Sequence, residues 1–199
     1  SPSDLANKTR EEILPLLSAS KIVNQEAINP EKIKNLKGNL IRTTDPYSII
    51  ENKKVKIVAT GEIPRTHEIE NFQSYYLLKN KRLVKDQILD DRCLFFEFSD
   101  HIVVLNGCYH SGLMNTLDYV KSMSDKPITH IIGGFHMASA SKNRINETLS
   151  YLKEFQDNDK ELYLFPIHCT GNAFLDQLKQ AKLPDIHAFD VSVGTKFTF

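Results

Sequence analysis

The sequence of 199 residues has no excess charge of either sign and no long apolar run. Lysine plus arginine and aspartate plus glutamate number 25 each, so a basic face for nucleic acid or for a membrane surface is not indicated. No apolar run approaches the roughly 18 residues of a membrane-spanning helix. The polar start, Ser1-Pro2-Ser3-Asp4, does not resemble a secretory signal peptide. We therefore expect no nucleic-acid partner, no membrane partner and a cytoplasmic location.

Cysteine is also scarce, with only Cys93, Cys108 and Cys169. An odd and sparse set does not indicate a disulfide framework, and reduced, buried thiols are typical of cytosolic proteins. Cys108 and Cys169 lie beside histidines in the sequence, and thiolates are good ligands for soft metals. The alternative, which we favour at this stage, is that both thiols only pack against their neighbours.

The histidines show a pattern, because three of the seven come directly after short apolar runs. The runs are 102–105, 131–132 and 162–165, and the loops that follow them contain His110, His136 and His168. Helix-like segments at about 113–122, 143–155 and 173–181 separate or follow these runs. Repeated strand, loop and helix segments predict an α/β arrangement with parallel strands.

The first half of the chain has a different pattern. Residues 1–37 are polar and helix-like, whereas 39–42, 55–60, 93–98 and 101–105 are strand-like. Ser99-Asp100 predicts a hairpin between the last two of these strands. Residues 66–82 form an irregular excursion, and 188–193 and 196–199 are β-like. Because the linkers between elements are short, we expect a single domain over 1–199.

The three histidine loops share one predicted location, the carboxyl edge of the parallel strands, where α/β sheets bind ligands. A neutral imidazole is a good ligand for zinc, iron or manganese. His110 and His168 are candidate metal ligands, but a catalytic zinc usually has three protein ligands and a water. His136 is either a further ligand or a catalytic group that faces the substrate. Gly133-Gly134 would allow close backbone approach at its loop. The plain alternative is three structural or solvated histidines.

Glu62 and Arg65 lie in a turn segment that directly follows the strand-like run at 55–60. Either they close the mouth of the site and bind substrate, or they form a surface ion pair of little energetic value.

Several motifs, taken together and in order, resemble one protein family. They are Gly61-Glu62-Ile63-Pro64-Arg65, Asp90-Asp91, Gly107-Cys108-Tyr109-His110-Ser111-Gly112, Ile132-Gly133-Gly134-Phe135-His136, His168-Cys169-Thr170-Gly171 and Ser192-Val193-Gly194-Thr195. The chain resembles the metallo-β-lactamase superfamily, in the branch of dihydropterin-6-ylmethyl ribofuranosyl-aminobenzene phosphate synthase-like proteins and metal-dependent hydrolases. The resemblance covers roughly residues 10–199.

The resemblance implies an αββα sandwich of two ββα halves, of which this chain supplies mainly the second. It implies His110 and His168 as ligands to one or two ions of zinc or another divalent transition metal, and His136 as a catalytic residue. The metal would activate a water for hydrolysis, or the site would transfer a group to a phosphorylated or pterin-like small molecule.

The sequence departs from the family at two points. It has no His-x-His-x-Asp-His motif, and no aspartate follows Gly133-Gly134. We therefore expect a C-terminal portion of such an enzyme, truncated at the N-terminus, with the missing half as a candidate partner chain. An alternative is a metal-free fragment or degenerate domain that acts by protein association. Whether this chain alone is an active enzyme is left open by its residues.

Overall fold

The computed structural model describes residues 40–71, 75–79, 82–156 and 160–199. The helices expected within 1–37 lie outside the described residues. The structure divides into two compact units, and the larger comprises Thr44–Phe72 and Ile88–Phe199. The expectation of one domain stays a prediction. Among the described residues, no helix is both long and apolar enough to cross a membrane.

The larger unit is built on a sheet of seven strands with three α-helices. Its strands are β1 (Tyr47–Glu51), β2 (Lys56–Ala59), β5 (Cys93–Glu97), β6 (Ile102–Asn106), β7 (Ile128–Gly133), β8 (Leu162–Pro166) and β9 (Ile186–Ala188). Its helices are α1 (Leu113–Lys121), α2 (Lys142–Phe155) and α3 (Asn172–Ala181). In the smaller unit, β3 (Tyr76–Lys79) and β4 (Arg82–Lys85) form a two-stranded antiparallel sheet.

The seven strands lie in the order β1-β2-β5-β6-β7-β8-β9. The pairs from β1 to β6 are antiparallel, and the pairs from β6 to β9 are parallel. The predicted hairpin is confirmed, because β5 pairs with β6. The α/β class is confirmed as well: each of the last three strand-to-strand connections contains one helix.

The core lies between the sheet and the three helices. Strand residues of alternating position, such as Val104, Ile131 and Leu164, are fully buried there together with Leu117 and Leu152 from the helices. Period-two burial in strands and helical periodicity in the connections are what the apolar patterns require. The core thereby fixes the register of β6, β7 and β8, and with it the ends of these strands.

The opposite face of the sheet carries aromatic rings. His130 stacks on Tyr163 with ring centroids 4.9 Å apart, and Phe199 meets the His130 ring edge-on at 5.0 Å. Phe197 packs edge-on against Phe165 at 4.8 Å. The C-terminal residues therefore cover part of this face with their side chains.

Three sequence-based element predictions were wrong. Residues 40–42 form no strand, while β1 pairs with β2 further along the chain. At the C-terminus the regular strand is Ile186–Ala188, and the β-like character of 196–199 reflects aromatic packing instead of a hydrogen-bonded ladder. The excursion at 66–82 contains a short 3₁₀ turn and part of the β3–β4 hairpin. Each error has one cause: pairing and packing partners, which sequence periodicity does not contain, decide these short segments.

Glu70 joins the excursion to the start of α1. Its carboxylate accepts hydrogen bonds from the backbone N–H groups of Met114 and Asn115 at 3.1 and 2.9 Å, and the residue is fully buried. Gly112 has φ of +102° and no side chain, and a Cβ there would overlap the Glu70 carboxylate. Burial raises the pKa of Glu70, and the two N–H donors oppose that shift. This capping contact fixes α1 and therefore the loop that precedes it.

Replacing Glu70 with alanine should destabilise the fold by about 1–3 kcal/mol, because two buried N–H groups at a helix N-terminus lose their acceptor. Urea unfolding of Glu70→Ala against the parent chain measures the effect. Glu68→Ala is the matched control, since Glu68 lies in the same 3₁₀ turn and is exposed. Equal stability of the two variants would contradict the capping role.

Candidate metal centre

The loops after β6, β7 and β8 are tied together by backbone hydrogen bonds. The N–H of Gly134 donates to the carbonyl of Gly107 at 3.0 Å, and the N–H of Ile167 donates to the carbonyl of Gly133 at 3.0 Å. The N–H of Met137 donates to the carbonyl of Cys169 at 3.1 Å. The carboxyl edge of the parallel strands is thus one connected structure, as the strand order requires.

The loop that follows β8 packs directly over Gly134. A Cβ built at this residue would lie 2.5 Å from Nε2 of His168 and 2.6 Å from Sγ of Cys169. Those distances are far inside van der Waals contact, so a side chain at this position would push the ends of His168 and Cys169 away. The close approach predicted for Gly133-Gly134 is confirmed at this position.

The side chains of the three loops form two overlapping groups of potential metal ligands. One group is Cys108, His168 and Cys169, and the other is Cys108, His110 and His136. Within each group the ligand atoms all lie within 4.8 Å of one another. Sγ of Cys108 is 2.9 Å from Sγ of Cys169 and 3.3 Å from Nδ1 of His136. His110 and His136 thus lie in one group and His168 in the other, and Cys108 belongs to both.

Cys108 and Cys169 lie among the potential metal ligands, whereas the sequence favoured packing roles for both. Both thiols are half-buried and belong to the ligand groups. The signal was present in the sequence, since each cysteine is one or two positions from a loop histidine. Neighbouring side chains usually point apart, but Tyr109 adopts φ of +39° and His168–Thr170 forms a 3₁₀ turn. These two local conformations bring each cysteine and its histidine to the same side.

Burial shifts the pKa values of His136 and Cys108 and so affects the charge of the site. Burial, followed by the nearby His110, Arg144 and His168, lowers the pKa of His136 to about 4. Burial, followed by the hydrogen bond with Cys169, raises the pKa of Cys108 to about 12. Near neutral pH, His136 is therefore an uncharged imidazole, and Cys108 is an uncharged thiol in the absence of a cation.

Arg65 stabilises the loop of His110 through hydrogen bonds to backbone carbonyls. Its Nη1 donates to the carbonyl of His110 at 3.0 Å, and its Nη2 donates to the carbonyl of Ile88 at 3.3 Å. Burial lowers the pKa of Arg65, opposed by the charges of Asp91, Glu70 and Glu62 in decreasing order. The side chain of Glu62 is exposed. The structure thus places Arg65 against the site, with Glu62 further out.

Asp91 is a supporting residue to which the sequence motif assigned no role. Its Oδ2 accepts the N–H of Ser111 at 2.6 Å, directly after His110. Asp91 and His110 line an open cavity of about 330 Å³ together with Asn106 and Cys108. Asp91 and Arg65 therefore both hold the peptide group that joins His110 to Ser111.

Comparisons with known proteins agree with this geometry. The chain is 31% identical over 144 residues to an uncharacterized protein of Methanocaldococcus jannaschii, covering 72% of this chain and 50% of that protein. It is 28% identical over 160 residues to the 7,8-dihydropterin-6-methyl-4-(β-D-ribofuranosyl)-aminobenzene-5'-phosphate synthase of the same organism, covering 75% and 51%. The chain thus spans about half the length of these curated relatives. No protein-family model matches it.

A solved structure decides the fold. The crystal structure of a metal-dependent hydrolase of the β-lactamase superfamily superposes with a TM-score of 0.70 at 21% identity, covering 85% of this chain and 62% of that one. The chain therefore has a metallo-β-lactamase-like fold. Among the described residues, the seven-stranded sheet and the three helices form this architecture.

The residues at the edge of this metallo-β-lactamase sheet fit the divalent metal that the fold implies. Three imidazoles and two thiols are nitrogen and sulfur donors, the ligand types that zinc and similar transition metals prefer. Their ligand atoms are already gathered in groups of three. The donor chemistry thus supports a transition metal over magnesium or calcium, which take oxygen ligands.

Gly134→Ala should weaken zinc binding by at least about tenfold, because the new methyl group would displace His168 and Cys169. Competition with a chromophoric chelator measures the affinity, and circular dichroism checks that the fold is kept. Gly107→Ala is the matched control on the neighbouring loop, since nothing lies within 4 Å of a Cβ built there. Zinc binding by Gly134→Ala at the parent affinity would show that the tight approach is irrelevant to the metal.

Proposed function

We propose that this chain supplies one side of the metal centre of a metal-dependent hydrolase-like enzyme. His110 and His168 are the metal ligands, and His136 is the catalytic residue that faces the substrate. The observation that carries the proposal is the convergence of these three side chains, from three successive strand ends, into overlapping groups of ligand atoms. The similarity to a metal-dependent hydrolase of the β-lactamase superfamily supports it.

A divalent metal bound there would lower the pKa of a coordinated water to about 7 and polarise a phosphoryl or carbonyl oxygen. The residues of the chain supply the remaining functions. His136 lies with its ring centroid 4.6 Å from that of His110, so it can exchange a proton with a group bound beside His110. Its backbone carbonyl accepts a hydrogen bond from Nη1 of Arg144 at 3.1 Å, which holds the loop in place.

The substrate side of the proposal involves Arg65 and Glu62. Arg65 positions the His110 loop beside a cavity lined by Asp90, Asp91 and Arg92, and it binds the substrate there in this proposal. Glu62 is exposed in the same turn, where it can contact a bound molecule. A phosphorylated or pterin-like small molecule agrees with the name of the synthase to which the chain is similar.

In this proposal, the complete metal centre also needs ligands from a second half of the enzyme. Because the chain spans about half the length of its curated relatives, the remaining ligands would come from a polypeptide equivalent to their other half. A reducing, cytoplasmic location is part of the same proposal, since it keeps Cys108 and Cys169 as thiols.

A second candidate is a metal-free chain that acts through protein association. The aromatic face of the sheet favours it, because Phe189 and Phe199 remain 45% and 49% exposed. The two candidates differ in one property, the binding of a transition metal.

Alanine at His110 or His168 should lower zinc affinity by at least about tenfold, because each loses a nitrogen ligand. It should also abolish turnover of a phosphodiester probe such as bis(p-nitrophenyl) phosphate wherever the parent protein shows it. Equilibrium dialysis followed by elemental analysis measures the bound zinc. His187→Ala is the matched control, because His187 is exposed on β9. Unchanged zinc binding in His110→Ala and His168→Ala would rule out both ligand roles and favour association.

A further inference from the structure

Two thiols lie close together at the carboxyl edge of the parallel strands, where the sequence favoured packing roles for both cysteines. Sγ of Cys108 and Sγ of Cys169 are 2.9 Å apart although their strands, β6 and β8, are not neighbours. Strand β7 lies between them and ends at Gly133-Gly134. Gly134 leaves room for Cys169 and His168, since a Cβ there would overlap Sγ of Cys169 and Nε2 of His168.

His168 completes a set of three donors with these thiols. The ligand atoms of Cys108, His168 and Cys169 all lie within 4.8 Å of one another. Two cysteines and one histidine are a known ligand set for catalytic zinc, in which the fourth position is left open for water or substrate. Every member comes from this chain, so the set does not need the His-x-His-x-Asp-His motif that the chain lacks.

We propose that Cys108, Cys169 and His168 form a three-ligand site for a soft divalent metal, which this chain binds by itself. The inference deepens the proposed function, on which it rests for the ligand role of His168, and adds two thiolate ligands beside that histidine. His110 belongs to the second donor group, which shares Cys108 with the first.

The geometry requires one adjustment on binding. Two thiolates on a tetrahedral zinc, each with a Zn–S bond of about 2.3 Å, are about 3.8 Å apart. The sulfurs must therefore separate from 2.9 Å. Both cysteines lie in loops and are half-buried, so rotation of their side chains is sufficient and the sheet need not move.

Cys108 also gives His136 a defined orientation in this arrangement. A metal-bound thiolate can only accept a hydrogen bond, so Nδ1 of His136, 3.3 Å away, must carry the proton. Its Nε2 then carries no proton and can accept one from a substrate.

Instead of binding a metal, the two neighbouring sulfurs can be oxidised to a disulfide by an oxidant such as a low-molecular-weight disulfide. The bond would join Sγ of Cys108 to Sγ of Cys169, release two protons and transfer two electrons to the oxidant, which is reduced to two thiols. That product would remove both thiolates from the metal site. The reduced and the oxidised chain must therefore be tested separately.

The test is cobalt substitution of the reduced chain of residues 1–199, followed by absorption spectroscopy and zinc competition. We expect about one cobalt per chain with a near-ultraviolet thiolate-to-cobalt charge-transfer band. Cys108→Ser and Cys169→Ser should each reduce that band by about half and weaken zinc binding at least tenfold, and the double variant should lack the band. His168→Ala should weaken binding while the band persists at saturating cobalt.

Cys93→Ala is the matched control, because Cys93 is a buried core thiol outside both ligand groups. It should leave the band unchanged and the zinc affinity within about twofold of the parent value. Circular dichroism of each serine variant shows whether it is folded, and thiol titration before metal addition shows whether the pair is reduced.

The outcomes separate this inference from the proposed function. Cobalt binding that depends on His168 but shows no thiolate band would overturn the Cys₂His site and leave the proposed function standing. A reduced, folded chain that binds no metal would overturn the inference that this chain binds the metal by itself. A disulfide that persists under reducing conditions would likewise exclude the thiolate ligands.

Discussion

The site depends on one steric constraint, the absence of a side chain at Gly134. Parallel strands bring their carboxyl ends to one edge, but adjacent strands alone would leave the loops after β6 and β8 separated by the end of β7. Gly134 removes that obstacle, so His168 and Cys169 can cross over β7 and reach Cys108. The backbone bonds from Gly134 to Gly107 and from Ile167 to Gly133 keep the crossing in place. The donor group of Cys108, His168 and Cys169 depends on this approach.

A second layer of contacts stabilises the loops without touching the donors. Glu70 caps α1, Asp91 accepts the N–H of Ser111, and Arg65 donates to the carbonyl of His110. All three come from segments between or beside the strands, where sequence periodicity is weakest. The arginine in the turn at 61–65 therefore has a structural reason, because Arg65 donates to the carbonyls of His110 and Ile88.

Much of this arrangement could be predicted from the sequence. Strong periodicity predicted β5 to β8 and all three helices, and the positions of His110, His136 and His168 after strands predicted their convergence. The places where prediction failed were short segments, such as β1 and the C-terminal residues, whose state depends on partners distant in sequence. The proximity of the two cysteines to each other and to the histidines was not predicted, for a different reason. The positive φ of Tyr109 and the 3₁₀ turn at His168 turn neighbouring side chains to one side, and no residue pattern indicates that.

The most direct test of the account is X-ray absorption spectroscopy at the zinc edge on the reduced chain loaded with one equivalent of zinc. The account predicts a mixed shell in which imidazole nitrogen and about two sulfurs, at about 2.3 Å from zinc, are both present. A shell of oxygen alone, or zinc that washes off before measurement, would contradict the claim that the three strand-end loops form a metal centre.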